Sequence, residues 1–263
     1  MKQIEWENVT PDTGRALTRD FVLQHEGRAV PGALWLPSEG PPEALILVGH
    51  GGSRHKRDES TLDFIAAVVE NNNLAAAAID GPIHGGRGRD LSSHQGLGLS
   101  SGPSPDPSAL QTAFLNLWKT PGNGIEYMVS DWQASLTALL ALPELQGVPI
   151  GYFGLSMGTA YGLPFAAADA RIGAAVLGMW GANYPNSTVL VERATAVKCP
   201  VLFLHKSEDD FFTLEGGLEI YRALPGDDKR FMMHEGPHKP ATSEQTKLAI
   251  RFLVERLITG EQP

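Results

Sequence analysis

Short, continuous apolar runs alternating with helical patterns constrain this chain more than any other feature. Residues 44–48, 74–79, 149–153, 172–177 and 201–204 are such runs, and 230–233 is a sixth, more polar one. Runs without polar alternation suit strands that are covered on both faces. Between them lie helical patterns: residues 60–72, with Leu62, Ile65, Ala66 and Val69 at spacings of three and four, and residues 125–142, with Met128, Trp132, Leu136 and Leu139 on one face. Residues 159–168 form a small-residue helix start, 214–224 another helix, and 242–258 a closing one. This alternation predicts an α/β protein with a mostly parallel central sheet and helices on both faces. Ahead of it, residues 21–23 and 29–36 read as a hairpin turning at Gly27, with Pro31 moving the second strand towards a sheet edge.

The 263 residues contain neither an internal repeat nor a linker, so 1–263 is expected to be a single domain. Periodicity fails between 85 and 124, where Gly, Ser and Pro dominate 96–108 and only 109–119 reads as helix. A loop of that length in a compact domain is either disordered or functional, and 87–124 is expected to be a lid or cap-like insertion. Its Phe114, Leu115, Leu117 and Trp118 should pack on something. With 42% apolar and 19% charged residues the chain is not disordered, and a net charge of −9 disfavours nucleic acid or an anionic membrane as partner. The first seven residues carry charges where a signal peptide needs an apolar core, and no run approaches a membrane span of about 20 residues. A cytoplasmic protein is expected. Cys199, the single cysteine, excludes an internal disulfide and reads as a small buried hydrophobe.

The chemistry centres on Gly154-Leu155-Ser156-Met157-Gly158, between an apolar run and a helix start. A serine hydroxyl needs a base within hydrogen-bond reach and donors for the oxyanion it creates. A sharp strand-to-helix turn supplies the exposure, and the amide of Met157 supplies one donor at a helix N-terminus. Partners should then cap later strands in the order Ser, acid, His. The run ending at Leu204 is followed by His205-Lys206-Ser207-Glu208-Asp209-Asp210, and that ending at Met233 by Glu235-Gly236-Pro237-His238. His238 is the expected base, with His205 and His234 as packing or supporting groups. Asp209 is the first choice of acid, Asp210 the alternative and Glu208 the third, since only one of three consecutive carboxylates can aim at the imidazole. Gly51 or Gly52, in His50-Gly51-Gly52-Ser53, is the expected second oxyanion donor. His50, Arg54 and Trp180 are candidates for the substrate pocket, with Trp180 equally readable as a packed aromatic. The run Arg54-His55-Lys56-Arg57 reads either as a site for a carboxylate or phosphate or as a solvated basic loop, and Arg87 and Arg89 share that ambiguity. Gly236 and Pro237 break any helix between His234 and His238, and no metalloprotease, phosphate-loop or dinucleotide pattern occurs, so no metal or cofactor is expected.

Taken together, Gly49-His50-Gly51-Gly52-Ser53, Asp80-Gly81-Pro82 followed by His84-Gly85, Asp131-Trp132, Gly154-Leu155-Ser156-Met157-Gly158 and Gly236-Pro237-His238 resemble the α/β-hydrolases of the dienelactone-hydrolase-like esterase branch. The resemblance runs from about residue 20 to the C-terminus. It implies the α/β-hydrolase fold, cofactor-free acyl hydrolysis through an acyl-enzyme, and Ser156, Asp209 and His238 as the triad. Dienelactone hydrolases proper carry a cysteine where this chain has Ser156, so dienelactone is not the expected substrate. The expected activity is that of a serine carboxylesterase on small to medium esters. Lactonase, thioesterase, peptidase or C–C bond hydrolase chemistry stays open to the same residues, and a ligand-binding relative is the reading from another class.

Overall fold

The computed structural model describes residues 4–11, 16–89 and 106–260. Its strands are β1 (Ile4–Pro11), β2 (Ala16–His25), β3 (Arg28–Pro37), β4 (Leu45–Gly49), β5 (Ala75–Ile79), β6 (Ile150–Gly154), β7 (Ile172–Gly178), β8 (Val201–Glu208) and β9 (Lys229–Pro237). The helices are α1 (Glu59–Asn72), α2 (Pro107–Lys119), α3 (Ile125–Leu139), α4 (Met157–Ala168), α5 (Thr188–Ala194), α6 (Leu214–Ala223) and α7 (Ser243–Val254). One sheet takes the strands in the order β1-β2-β3-β5-β4-β6-β7-β8-β9. β1 to β3 and the β3/β5 pair are antiparallel, and every ladder from β5 through β9 is parallel. This is the mostly parallel, helix-covered sheet that the apolar runs predict.

Burial on both faces explains why the runs are continuous. On one face Met128, Trp132, Leu136, Leu163 and Phe165 of α3 and α4 join Leu45, Leu47, Tyr152 and Leu177 from the sheet. On the other, Phe64, Ile65, Val68 and Val69 of α1 and Ile250, Phe252 and Leu253 of α7 cover Ile46, Val48, Phe153 and Val176. Each fully buried side chain of this size contributes about 1.5–3 kcal/mol. β5, Ala75-Ala76-Ala77-Ala78-Ile79, is a strand against its intrinsic propensity, because its five residues are all buried between two layers.

Several elements differ from the sequence-based expectation. β3 is interior, although Pro31 argues for an edge. Pro31 lies one residue past Gly32↔Ile79, where the β3/β5 ladder ends, so its missing N–H removes no bond within the ladder, and its carbonyl still accepts the Asp80 N–H. β1 is an added edge strand that has no continuous apolar run; its Trp6 meets Phe21 edge-on. The Glu26-Gly27 turn has positive φ at both residues (49° and 76°), the mirror-image turn that matches strand twist. β8 and β9 run further than the apolar pattern, to Glu208 and Pro237, so Asp209 and His238 are the first residues beyond their strands. In β9, more exposed residues recur along the strand, as suits an edge.

Of the stretch expected to form a lid, residues 90–105 lie outside the described residues. Its helix α2 is anchored by Leu110, Ala113, Phe114 and Trp118, all buried. Asp131 of α3, fully buried, accepts from Arg28 Nη2 at 3.0 Å and Arg87 Nη1 at 2.6 Å, and so ties the β2–β3 hairpin and the 85–89 turn to one helix. Among the described residues, no helix is long and apolar enough to cross a membrane.

Candidate active site

The chain leaves β4 for β5 on one side and β6 for β7 on the other, so a crevice opens between the carboxyl ends of β4 and β6. Ligands of open α/β sheets bind at such a reversal. Gly49 and Gly154 pair across it. A Cβ on Gly158 would stand 2.5 Å from the Gly49 carbonyl oxygen, and one on Gly154 would stand 2.7 Å from that of Gly158. Only glycine admits this approach, and it seats the amino end of α4 directly over the strand ends. Ser156 occupies the turn at φ 58°, ψ −122°, a conformation costly to a residue with a Cβ and typical of strained functional turns. Its own N–H donates to Gly178 O at 3.0 Å, and Tyr152 donates to Gly158 O at 2.7 Å, which fixes the turn from below.

Beyond β8 and β9, the two remaining groups converge on this hydroxyl. His238 Nε2 is 3.0 Å from Ser156 Oγ, and His238 Nδ1 is 2.7 Å from Asp209 Oδ2. A carboxylate only accepts, so Nδ1 carries the proton and Nε2 accepts from the serine hydroxyl. Asp209 Oδ1 accepts the amides of Phe211 and Phe212 at 2.9 and 3.0 Å. Burial pushes the Asp209 carboxyl up, but the bond and charge of His238, with those two amides, outweigh it and hold it below the ordinary carboxylate range. Of the three consecutive carboxylates, Asp209 alone meets the imidazole; Glu208 and Asp210 are exposed. His205 is buried behind this pair, ring to ring with Phe231, and His234 stays within β9.

The turn after β4 is held by two histidines. Gly81 N–H donates to His50 Nε2 at 2.9 Å, so His50 Nδ1–H donates to Gly51 O at 2.9 Å. His84 Nε2–H donates to Gly52 O at 3.0 Å. Gly51 O also accepts Arg54 N–H at 3.1 Å. Across a trans peptide the Gly52 N–H points away from that carbonyl, and among the described residues neither it nor the Met157 N–H has a backbone partner.

Both rings are neutral. Burial lowers the pKa of His50 and, as the largest cause, that of His84, which falls to about 3; a proton on His50 would lower it further. An unfolded histidine titrates near 6.5, so the folded state excludes a proton that the unfolded chain accepts. Stability is therefore full above about pH 6.5 and is lost as pH falls towards 3; His84 alone accounts for about 2 kcal/mol between pH 7 and 5. Urea unfolding at the two pH values measures this. His84→Gln should flatten the difference, and an undiminished slope in that variant contradicts the assignment.

The cations of the basic run are partly exposed and paired with carboxylates of this chain. Arg54 Nη1 reaches both Asp58 oxygens at 3.0 and 3.1 Å, Arg57 pairs with Asp20, and Lys56 Nζ lies 2.7 Å from buried Asp80. Asp80 also accepts Gly86 N–H, so one carboxylate at the end of β5 joins two loops that flank the site. Arg87 is held by Asp131 as described; the side chain of Arg89 lies outside the described residues. Cys199 is partly buried against the core, its thiol pushed up to about 12 by burial. Among the described residues no group of three or more His, Cys, Asp or Glu is disposed to hold a metal.

A cavity of about 390 Å³ opens beside Ser156, bounded by the 48–54 turn, Phe64, Phe153, Leu155 and the residues just after His238. His50 and Arg54 reach its wall. Trp180 does not; it is fully buried and borders a second, much smaller space next to Ser156. Gln111 and Phe211 border both. A Phe-Phe pair, Phe211-Phe212, two residues after Asp209 is legible as a signal, whereas Gln111 depends on how α2 is turned.

No protein-family model and no curated protein sequence matches the chain. Among solved structures, a cold-adapted esterase from an Arctic intertidal metagenomic library, in complex with PEG, is 33% identical over 96% of this chain and 99% of its own, with a TM-score of 0.81. Dienelactone hydrolase of Anabaena variabilis is 17% identical over 92% and 99%, at 0.65. An esterase of Pyrococcus furiosus is 14% identical over 97% and 99%, at 0.68. The latter two speak for the fold alone. The first, aligned over nearly the whole of both chains, establishes kinship: this chain belongs to the α/β-hydrolase esterases and is a carboxylic ester hydrolase.

Proposed function

We propose that Ser156, His238 and Asp209 are nucleophile, general base and orienting carboxylate of a carboxylesterase that works through an acyl-enzyme. The observation that carries this reading is the hydrogen-bond chain from Ser156 Oγ through both ring nitrogens of His238 to Asp209, at the edge of an open cavity. As Oγ attacks the ester carbonyl, its proton passes to His238 Nε2 and the carbonyl π electrons move onto oxygen. The amides of Met157 and Gly52 receive that oxyanion; Gly52 is preferred to Gly51 because the His50 bond to Gly51 O turns the Gly52 N–H outward. Collapse breaks the alkoxy C–O bond, and the leaving oxygen takes the proton from Nε2. A water then repeats the sequence on the acyl-enzyme, releasing the acid and restoring the serine. The imidazolium is stabilised throughout by Asp209.

The substrate is a small to medium carboxylic ester, processed without a cofactor by a cytoplasmic enzyme that engages neither nucleic acid nor membrane; the net charge of −9 and the lone cysteine support this setting. In this reading 1–263 is a single domain and the 87–124 insertion serves as its lid, a role supported by Gln111 of α2 on the cavity wall. A fluorophosphonate probe should add one phosphonyl group, found by mass spectrometry on the peptide carrying Ser156, and should abolish turnover of p-nitrophenyl acetate. Full turnover by a protein that takes no label would refute the serine mechanism.

A further inference from the structure

Two spaces of very different size meet at Ser156. Beside the cavity of about 390 Å³ is a slot of about 10 Å³, room for one water-sized group. Phe114, Leu115, Trp180 and Phe212 wall the slot, and Gly52 closes one side. This wall is locked by its own packing. Trp180 lies 4.4 Å from Phe212 and 5.0 Å from Trp118 between ring centroids, and both indoles donate to Ser187 Oγ, at 3.0 and 3.1 Å. Interiors packed this way do not yield to an extra methylene without strain.

His238 borders both spaces, and they differ in the residues beyond it. A leaving alkoxide must face His238 Nε2 to be protonated, so the alcohol extends past His238. Lys239, Pro240, Ala241 and Thr246, the residues beyond it, line only the large cavity. Phe114, Trp180 and Phe212 line only the slot. We infer that the slot receives the acyl substituent and holds it to acetyl size, while the large cavity takes a bulkier alcohol; the enzyme is thus selective for short-acyl esters of bulky alcohols. This rests on the triad reading and adds to it a direction and a size limit. Stacked Phe64 and Phe153, 3.7 Å apart, offer the alcohol an apolar surface, and Thr61, Gln111 and Lys239 offer polar contacts.

A pair of isomeric esters tests the direction. 2-Phenylethyl acetate and methyl 3-phenylpropanoate have the same formula with the carbonyl reversed, and kcat/KM should favour the acetate by about 100-fold, since each methylene refused by a tight pocket is worth about 10-fold or more. Across p-nitrophenyl acetate, butyrate and hexanoate, kcat/KM should fall by about 100-fold from acetate to butyrate and further to hexanoate on the same grounds. Leu115→Ala, at a half-buried wall position, should recover about 10-fold of the hexanoate-to-acetate ratio, with Phe114→Leu as a second opening should that variant fold poorly. Equal rates for the isomers, a preference for the longer acid, or a ratio unmoved in both folded variants overturns the slot assignment. Absence of all ester turnover together with absence of phosphonate labelling refutes the triad reading instead, so the two failures are distinguishable.

Discussion

Ser156→Ala is expected to leave a folded protein whose kcat/KM on p-nitrophenyl acetate is about 10⁶-fold lower, with no acyl-enzyme detectable by mass. Loss of a nucleophile that acts as part of a unit has this scale in serine hydrolases, where the residual rate reflects the oxyanion donors and binding. The prediction follows from geometry. Ser156 Oγ is the hydroxyl 3.0 Å from His238 Nε2, on a turn that exposes it and hides its backbone. Folding should be unaffected, because the strained φ of 58° is imposed by the strand and helix on either side rather than by the hydroxyl, and alanine carries the same Cβ. A circular dichroism melt alongside the kinetics separates loss of chemistry from loss of fold. Retention of about 1% of activity or more by the folded variant would remove Ser156 from the nucleophile role.

The second large effect concerns the carboxylate. Asp209→Asn should lower kcat by about 10⁴-fold, the scale found when an orienting aspartate becomes an amide. An asparagine can offer an N–H to His238 Nδ1, which favours the tautomer with its proton on Nε2, where it cannot accept from Ser156. Asp210→Asn, one residue along and exposed, should stay within about threefold of the parent, as surface changes away from such contacts do. Measured side by side at pH 8, the pair reads the identity of the acid directly. Equal losses, or the larger loss at Asp210, would reassign it.

That pair also marks where the sequence stops being legible. Glu208, Asp209 and Asp210 are chemically alike and consecutive, and only the course of β8, which continues to Glu208, turns the second of them inward onto the ring and onto the amides of Phe211 and Phe212. The basic run after Ser53 is similar. Its composition suits an anion site, yet Asp20, Asp58 and Asp80, two of them on other elements, occupy its charges. Pro31 shows a local rule set aside by position, since the N–H it lacks falls just beyond the β3/β5 ladder. Trp180 offers the same ambiguity in reverse: a buried aromatic that also borders the space beside Ser156.

By itself the sequence determined the layered α/β architecture, the glycine-bounded serine turn and the order of hydroxyl, carboxylate and imidazole along the chain. These are carried by residues adjacent in the chain: apolar period, turn chemistry and a missing Cβ act over a few residues, whatever the rest of the molecule does. Tertiary structure alone decided which carboxylate meets His238, which peptide turns its N–H outward beside the site, and how two unequal spaces come to share one serine. Those outcomes depend on the direction of side chains delivered by elements tens of residues apart, and direction is set by sheet register and helix packing, which no local pattern encodes.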